Sequence, residues 1–409
     1  MPEFREVTLE DMRHLVSERA LSGETMLLNM GPQHPSTHGV LRLLLELDGE
    51  IVLNCIPDIG FLHTGVEKNM EAKIYQKAEV MTDRLDYMNP CGNNLAYCLA
   101  LEKLLDLDVP PRAQTIRVIL AELTRLNSHL VWLGTSSLDL AAMSVFLYCM
   151  RERELILDVF ELCSGARMMT TYIRPGGLWR DVPVEFDGAV RKILDVFPKR
   201  IDEYESLLTT NQLFLERTRH IGVLSGEDCI RWGLSGPVLR GSGVAGDVRK
   251  DRPYSGYEQY DFEIPTQKEG DIYSRYLVRV AEMRQSLRII EQAMKKLPGG
   301  TVRTDDRKVV PPPRSEIGVS MEALIHHFKI WTEGYPVPAG NVYTATESPK
   351  GELGVYMESD GSNKPLRVHY RTPSFIALQA LPLMTRNRFV ADVVGIIGSV
   401  DIVLGDADR

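Results

Sequence analysis

Two stretches of alternating apolar and polar residues, one near each end of the chain, constrain the fold most. In residues 41–47 leucines alternate with polar side chains, Asp48-Gly49 follows, and residues 51–55 resume the alternation. An Asp-Gly step between two alternating runs is the sequence signature of a tight β-hairpin. Residues 353–357 and 366–370 repeat the pattern around an Asp-Gly-Ser turn. The sequence therefore predicts a small antiparallel sheet near each terminus.

The long middle of the chain has helical periodicity instead. After Pro110-Pro111, apolar residues recur at three- and four-residue steps, the stripe of a packed helix. Similar stripes predict helices over 64–81, 92–105, 140–172, 186–218, 270–296 and 321–331. The fold class is therefore α+β, mainly a helical bundle with small antiparallel sheets near the N- and C-termini. We divide it into strands carrying a histidine loop (1–60), the bundle (61–300), and a C-terminal helix, hairpin and tail that pack back on the bundle (301–409).

Composition excludes several classes of protein. A net charge of −9 over 409 residues argues against nucleic acid as a partner, because nucleic acid requires a basic face. The six cysteines are scattered without a Cys-x-x-Cys pair, which favours buried free thiols in a reducing compartment. The N-terminus lacks the apolar core of a signal peptide, and no uncharged apolar run is long enough to span a membrane. We expect a cytoplasmic protein that docks to other subunits.

Two histidines lie in a turn bounded by glycine and proline, Gly31-Pro-Gln-His34-Pro-Ser-Thr-His38-Gly39. Because Pro35 makes this segment a turn, the two side chains do not share a helix face. A metal site would need further ligands, and none is close in sequence, so we predict no bound metal. A histidine that merely caps its own loop is the alternative interpretation of the turn.

Two further residues are candidates for proton chemistry. Tyr87 ends the segment Asp83-Arg-Leu-Asp-Tyr87, and the alternative is a half-buried core tyrosine. Asp139 is the only charged residue between Leu130 and Met150, so we expect it to be buried and partnered, with a histidine as a natural partner. Hydrogen bonds to neighbouring Ser and Thr hydroxyls are the alternative. Proton donors without ligands for a redox metal indicate a reduction site whose electrons come from a neighbouring chain.

One motif is misleading. Gly241-Ser-Gly243-Val-Ala-Gly246 fits the dinucleotide fingerprint G-x-G-x-x-G, which works only between a strand and a helix. The residues that follow are too charged and proline-broken to form that helix, so we predict a loop without a nucleotide. The charged segment 247–261 is expected to be exposed, either as a docking element or as a solvated loop.

Several motifs together resemble one family. Gly31–Val40, Leu62-His-Thr-Gly-Val-Glu-Lys68, Asp83–Tyr87, Ala166-Arg-Met168 with Ile173–Gly177, and Asp401–Arg409 resemble the quinone-pocket subunit of respiratory complex I, the 49-kDa type. The motifs are long and colinear from about residue 24 to the C-terminus. The resemblance implies a proton-translocating NADH:quinone oxidoreductase, active only as an assembled complex.

The resemblance also implies site residues and partners. It places His38 and Tyr87 on the quinone headgroup, His34 in the pocket loop, and Asp139 beside His38. Unperturbed, histidine titrates near ~6.5 and tyrosine near ~10, so an imidazolium would be the readier acid. A [4Fe–4S] cluster in the adjacent small subunit would supply electrons, with FMN and NADH in other peripheral-arm subunits. A membrane subunit would close the quinone channel, on the cytoplasmic face of the inner membrane.

A weaker resemblance extends to the large subunit of [NiFe] hydrogenases and implies a similar fold. Glu347-Ser-Pro-Lys-Gly351 resembles the hydrogenase Glu-x-Pro-Arg-Gly segment. No cysteine lies beyond Cys229, so the thiolates that nickel and iron require are missing. The alternative function is a scaffold subunit of a related hydrogenase-like membrane complex.

Two positions depart from the complex I pattern. Thr64 stands where many members have arginine, and Met169 stands where many have a histidine linked to proton-coupled cluster reduction. Loss of a cation and of a protonatable group disfavours the reduced cluster electrostatically. We therefore expect a lower and less pH-dependent cluster potential, which suits menaquinone better than ubiquinone.

Overall fold

The structure is a computed structural model that describes residues 23–409. The expectation about a signal peptide, and the start of the first predicted region, fall on residues 1–22 and lie outside the described part. The predicted division into three regions stays a prediction.

A three-stranded antiparallel sheet forms the N-terminal end of the described chain. Its strands are β1 (Met26–Met30), β2 (Arg42–Asp48) and β3 (Ile51–Asp58), in the order β1-β2-β3. Asp48 pairs with Ile51 across the tight turn, which confirms the predicted hairpin. Strand β1 was not predicted from the sequence.

Seven helices of ten or more residues carry most of the mass of the described chain. They are α1 (Pro90–Leu105), α2 (Pro111–Asp139), α3 (Met143–Ser164), α4 (Phe186–Leu208), α5 (Ile272–Lys295), α6 (Met321–Thr332) and α7 (Val390–Val400). Helices α2, α3, α4 and α5 pack around one apolar core. Both α1 and α2 start on a proline, whose missing N–H costs nothing in a first turn. The mainly helical α+β class is confirmed.

Three predicted helices are shorter than expected. Residues 64–81 form two short helices and then a 3₁₀ turn over Glu79–Arg84. Residues 140–172 end as a helix at Ser164, because Gly165 takes a left-handed conformation that stops the helix. Residues 186–218 break after Leu208, because the Asn211 side chain caps a new helix by accepting from the Phe214 N–H.

A second three-stranded antiparallel sheet lies near the C-terminus. Two two-residue strands come first in the chain, β4 (Ile173–Arg174) and β5 (Gly177–Leu178). The sheet itself contains β6 (Gly340–Ser348), β7 (Gly351–Ser359) and β8 (Arg367–Arg371), in the order β6-β7-β8. The β7–β8 pairing confirms the predicted hairpin, whereas β6 was missed. The tight β6–β7 turn is the Glu347–Gly351 motif.

Short helices connect these elements. They are Val66–Glu71, Tyr75–Ala78, Gln212–Glu216, Gly226–Arg231, Gly236–Gly241, Val248–Asp251, Arg314–Ile317, Pro373–Gln379, Leu381–Thr385 and Leu404–Ala407, with 3₁₀ turns at Pro35–Thr37, Glu79–Arg84 and Tyr257–Gln259. The glycines of the misleading motif lie at the end of one short helix and in the loop before the next, which confirms that they form no strand-to-helix turn.

The two ends of the described chain pack together. The N–H of Val52 donates to the Arg388 carbonyl at 2.8 Å, and the N–H of Asn387 donates back to the Val52 carbonyl at 2.8 Å. Strands β2 and β3 share an apolar core with α7 and the last short helices. This packing brings the histidine turn, which precedes β2, to the C-terminal tail.

The structure also bears on the cysteines and on membrane spans. All six cysteines are buried free thiols, as predicted. Over residues 23–409, the helices are either too short or too polar to cross a membrane.

Candidate functional site

The histidine turn is a 3₁₀ turn over Pro35–Thr37, held by its own hydrogen bonds. His34 caps it, because its Nδ1 accepts from the Ser36 N–H at 3.2 Å. The Thr37 hydroxyl donates to the His34 carbonyl at 3.0 Å. His38 ends the turn in a left-handed conformation with φ 54°. The alternative of a histidine that caps its own loop therefore describes His34, and His38 is the side chain left available.

The surroundings of His38 lower its basicity. Although the side chain keeps an exposed surface, desolvation by the protein atoms around the ring lowers the pKa of His38, and the positive charge of Lys350 lowers it further. Both effects disfavour the charged form of an imidazole. The surroundings of His38 therefore do not favour the imidazolium form, and its role as a proton donor stays a prediction.

The segment that carries Tyr87 is fixed over the first turn of α1. The Asn93 amide donates to the carbonyls of Thr82 at 3.0 Å and Asp86 at 2.8 Å. The Asn94 amide donates to Asp83 at 2.8 Å. These bonds fix residues 82–86 against the start of α1. They also leave Tyr87 half-buried at its end.

The C-terminal tail packs directly on this segment. A Cβ atom added at Gly405 would lie 2.3 Å from the Leu85 carbonyl oxygen and 3.3 Å from Cδ1 of Tyr87. Only a glycine permits this approach, because any side chain there would collide with backbone. The approach places Asp401 and Asp406, on either side of Gly405, beside the Tyr87 segment.

Lys350 lies at the centre of these segments, on the β6–β7 turn, and is buried. Its ammonium donates to the Ser128 hydroxyl at 2.8 Å and lies 3.3 Å from Oδ2 of Asp86 and 3.5 Å from Oδ2 of Asp401. Burial alone would lower the pKa of Lys350, but Asp401, Asp86 and Asp406 together raise it. We call Lys350, Asp86, Asp401 and Asp406 the lysine cluster.

The lysine cluster holds three buried carboxyl groups against one ammonium. Burial raises the pKa of Asp401 to about 6, against the opposing effect of Lys350. Burial and the neighbouring Asp86 raise the pKa of Asp406 to about 8. Because both values lie near neutral pH, this cluster can hold and release a proton.

Tyr87 is under the influence of the same charges. Burial raises the pKa of Tyr87 first, and the carboxylates of Asp86, Asp406 and Asp401 raise it further. The ammonium of Lys350 opposes them and lowers it. Lys350 therefore acts electrostatically on both candidate donors, His38 and Tyr87.

Asp139 differs from its prediction in two respects. It ends α2 with an exposed side chain, so the expected burial is wrong for this chain. Partial desolvation raises the pKa of Asp139, and the nearby charge of His34, rather than of His38, lowers it. The neighbouring hydroxyls of Ser136 and Ser137 donate to backbone carbonyls instead. The histidine whose charge acts on Asp139 is thus the one that caps the turn, and no hydrogen bond or ion pair joins the two side chains in the described part of the chain.

A second buried charged group lies on the other side of the β6–β7 turn. We call it the arginine cluster; its members are Arg125, Arg240, Arg249, Glu122, Asp247, Glu282 and Glu347. Arg249 binds Glu122 at 3.0 Å and Asp247 at 2.7 Å. The expectation that segment 247–261 is exposed is therefore wrong at its start. Asp247 and Arg249 are buried there, and Arg249 forms ion pairs with both Asp247 and Glu122.

The sequence reasoning did not single out Lys350, Asp86, Asp401 and Asp406 as candidate site residues. A signal was present, since all four lie within the motifs that carry the family resemblance. Their contact could not be read from the sequence, because they come from three distant segments. Among residues 23–409, no group of three or more His, Cys, Asp or Glu side chains is placed to hold a metal ion.

Comparison with known proteins identifies the family. Residues 139–409 match the family described as respiratory-chain NADH dehydrogenase, 49 Kd subunit. The chain is 62% identical to a D-type subunit of NADH-quinone oxidoreductase from Chloroflexus aurantiacus, over 96% of this chain and 97% of the relative. It is 61% identical to the D-type protein of Roseiflexus sp. strain RS-1, over 96% of each, and 55% identical to that of Citrifermentans bemidjiense, over 95% of this chain and 100% of the relative.

The chain therefore belongs to the family of the 49-kDa subunit of respiratory-chain NADH dehydrogenase. The resemblance predicted from the sequence is confirmed, and the chain works as one subunit of an oxidoreductase complex. The similarity to the hydrogenase large subunit stays a prediction.

Proposed function

We propose that this chain forms the quinone-headgroup site of a proton-translocating NADH:quinone oxidoreductase, with His38 and Tyr87 as the groups that meet the two carbonyl oxygens. The observation that carries the proposal is that the buried Lys350 ammonium lies 3.3 Å from Asp86, the neighbour of Tyr87, and that the same cation lowers the pKa of His38. Three segments that are far apart in sequence converge to build this arrangement. The relatives' names include quinone as the substrate of their complexes.

The chemistry of the reaction fits these groups. Reduction of a quinone to a quinol takes two electrons and two protons, and negative charge develops on each carbonyl oxygen. A hydrogen-bond donor at each oxygen stabilises that charge and can deliver the proton. Tyr87 supplies a hydroxyl, and His38 supplies a ring N–H. The nearby ammonium stabilises the negative charge on either side.

The other two predicted residues then act on the turn. His34 fixes the turn through its bond to Ser36, so it shapes the pocket without donating to the substrate. Asp139 acts on the turn through His34, which makes it a positioning residue rather than a donor. We keep both as site residues in these roles.

The electrons come from a [4Fe–4S] cluster in an adjacent small subunit, and this chain binds no cluster itself. FMN and NADH belong to other peripheral-arm subunits, and a membrane subunit closes the channel through which the quinone enters. The chain lies peripherally at the cytoplasmic face of the membrane.

Menaquinone is the proposed substrate. Thr64 and Met169 carry neither a charge nor a titratable group, so neither residue would stabilise a reduced cluster in the adjacent subunit electrostatically. A redox titration of the complex at several pH values tests this. A low cluster potential that changes little with pH is expected, and a steep pH dependence would sink the menaquinone proposal.

The experiment that tests the site is Tyr87→Phe in the assembled complex. NADH oxidation is measured once with a quinone and once with an artificial acceptor that takes electrons upstream of the quinone. The substitution removes one hydroxyl and little volume, so packing should survive. We expect the quinone-linked rate to fall by about 10²-fold or more, the usual contribution of a general acid, with an unchanged upstream rate.

Tyr356→Phe is the matched control. Tyr356 lies on β7, is also half-buried, and donates its hydroxyl to Glu358 at 3.3 Å. The control should keep both rates. Equal quinone-linked rates in Tyr87→Phe and in the wild type would show that the Tyr87 hydroxyl is structural and would remove it from the site.

A further inference from the structure

We propose that Glu79 is a buried proton-binding site that exchanges with solvent through a surface pocket beside α6, with Tyr335 between the pocket and the carboxyl group. Glu79 is the first residue of the 3₁₀ turn Glu79–Arg84, and its side chain is fully buried. Neither carboxyl oxygen has a hydrogen-bond partner among the residues that the structure describes. The inference is independent of the proposed function, because it requires neither a bound quinone nor the lysine cluster.

The nearest cation is poorly placed to keep Glu79 ionised. Nη1 of Arg174, on β4, lies 3.7 Å from Oε2 of Glu79, which is longer than a hydrogen bond. The Nε of Arg174 donates to the Thr171 carbonyl at 2.9 Å instead, and its side chain is 26% exposed, so water shares its charge. A buried carboxylate without hydrogen-bond donors is costly, and such a group takes up a proton.

A second buried carboxyl group nearby shows the contrast. Glu102 on α1 accepts from the two terminal nitrogens of Arg117 at 2.5 and 3.0 Å, and from the Gly176 N–H at 2.8 Å. Its charge is therefore fully matched, and Arg117 has no donor to spare, because it also donates to the Gly177 carbonyl at 2.9 Å. Glu102 remains ionised, whereas Glu79 has no comparable partner.

The other titratable groups around Glu79 do not supply a charge to pair with it. Asp83 already accepts from the Asn94 amide at 2.8 Å and from a threonine hydroxyl. From α1, Tyr97 and Cys98 also face this region, and burial raises the pKa of both, so they stay neutral. Burial raises the pKa of Glu79 to about 8, since the arginines on β4 and α2, which lower it, are opposed by the neighbouring carboxylates.

Tyr335 lies beside the turn that carries Glu79. Its ring stacks on that of Tyr75, with centroids 6.4 Å apart and the planes nearly parallel. Tyr75 comes one helical turn before Glu79, whose N–H donates to the Tyr75 carbonyl. The Tyr335 hydroxyl is buried and lacks a partner within residues 23–409, and so does the side-chain amide of Gln76 in the same turn. Unpartnered buried polar atoms are thus concentrated around one turn of the chain, where a proton and its carrier water would be bound.

A surface pocket of about 840 Å³ leads from solvent to Tyr335, which forms part of its wall. The polar side of α6 and the segment before it supply charged and titratable lining residues: Arg303, Lys308, His326, Lys329 and Glu333. A hydroxyl can donate and accept at once. The Tyr335 hydroxyl gives its proton to the Glu79 carboxylate while its oxygen takes one from water in the pocket, so the tyrosine is unchanged and the carboxylate gains one proton.

The first test compares Glu79→Gln with Glu102→Gln in the assembled complex, by thermal unfolding between pH 6 and 8. A glutamate titrates near ~4.3 in an unfolded chain, so folding must protonate Glu79 in this window. Glu79→Gln needs no proton and should be more stable than the wild type. Its advantage should grow by up to about tenfold in the folding equilibrium constant per pH unit. Glu102→Gln should be less stable than the wild type at every pH, because it breaks a buried ion pair.

Lower stability of Glu79→Gln than of the wild type, or its failure to assemble, would overturn the proposal. Either result would show that Glu79 is an ionised partner of Arg174, because glutamine has the shape of a protonated glutamate.

The second test follows the proton itself by infrared spectroscopy of the assembled complex at pH 7. The wild type should show a C=O band of a protonated carboxyl group that is lost in Glu79→Gln, and this band should shift when the complex is transferred to heavy water. Tyr335→Phe keeps the stacked ring and removes the hydroxyl, so the shift should take longer. Absence of the band would overturn the site, and equal exchange times in Tyr335→Phe and the wild type would overturn the route through Tyr335.

Discussion

The arginine cluster and the lysine cluster are both buried, and they meet at one β-turn, yet their carboxyl groups behave differently. In the arginine cluster, burial alone would raise the pKa values, but Arg249 lowers the pKa of Asp247 to about 2, and Arg240 holds that of Glu282 well below its usual range. In the lysine cluster, burial outweighs the nearby cations Lys350, Arg279 and Arg409, and the pKa values of Asp401 and Asp406 rise to about 6 and about 8.

The difference lies in how well the charges are matched. Guanidinium groups offer several donors in a fixed plane, so one arginine can satisfy two carboxylates. Arg249 does so with Glu122 and Asp247. Glu347 is an exception in its cluster, since burial and Asp247 raise its pKa. A matched cluster keeps a fixed charge and holds the fold, whereas an unmatched cluster can change its protonation near neutral pH.

The largest effect is expected from a substitution that disrupts the arginine cluster. Arg249→Met removes the cation that binds both Glu122 and Asp247 and leaves these buried carboxylates only the longer contacts to Arg125 and Arg240, which should reduce the free energy of unfolding by about 3–5 kcal/mol. Thermal unfolding and the yield of assembled complex measure this. Arg191→Met is the control, because Arg191 and Asp187 form an exposed pair on α4 that contributes at most about 0.5 kcal/mol. Similar losses in both variants would mean that the arginine cluster is not a structural core.

The next largest effect is the pH dependence of stability that the lysine cluster should cause. Asp406 has a raised pKa of about 8 in the folded state, against about 3.9 when unfolded. Between these values the folded state binds one proton more than the unfolded state, so stability falls as pH rises, by about 1.4 kcal/mol per unit, and levels off above pH 8. Asp406→Asn removes this slope, and melting curves between pH 6 and 8 should show a weaker pH dependence than the wild type.

Asp187→Asn is the control for that slope. The Arg191 guanidinium lowers the pKa of the exposed Asp187 carboxyl, so this group stays ionised throughout the window and its removal should leave the slope unchanged. An unchanged slope in Asp406→Asn itself would mean that the lysine cluster does not take up a proton on folding, and the contrast with the arginine cluster would disappear.

The smallest expected effect tests the contact between the tail and the Tyr87 segment. Gly405→Ala places a methyl group against the Leu85 carbonyl and the Tyr87 ring, so the tail must shift, at a cost of about 1–3 kcal/mol in stability. The quinone-linked rate should fall more than the upstream rate. Gly188→Ala on α4 is the control for an added methyl at a helical glycine, because nothing lies within 4 Å of its Cβ position. Equal effects on both rates would show that Tyr87 does not depend on the tail.

Part of the fold was predictable because its signals are local. The period-two alternation around Asp48-Gly49 specified the β2–β3 hairpin, and the apolar stripe after Pro111 specified α2. The continuous helix predicted over 64–81 is instead two short helices followed by a 3₁₀ turn, and the apolar pattern did not report these breaks. Strand β6 was missed because its sequence has no clear alternation.

For the site, the sequence by itself determined the candidate donors and the family. His38 and Tyr87 follow from their motifs, and neither a bound metal nor a nucleotide was predicted. The surroundings that lower the pKa of His38, the exposure of Asp139, and the contacts of Lys350 with Asp86 and Asp401 were decided only by the tertiary structure. The physical reason is that the pKa of a buried group depends on charges and desolvation within a few ångströms. Here those charges come from segments hundreds of residues apart, which only folding brings together.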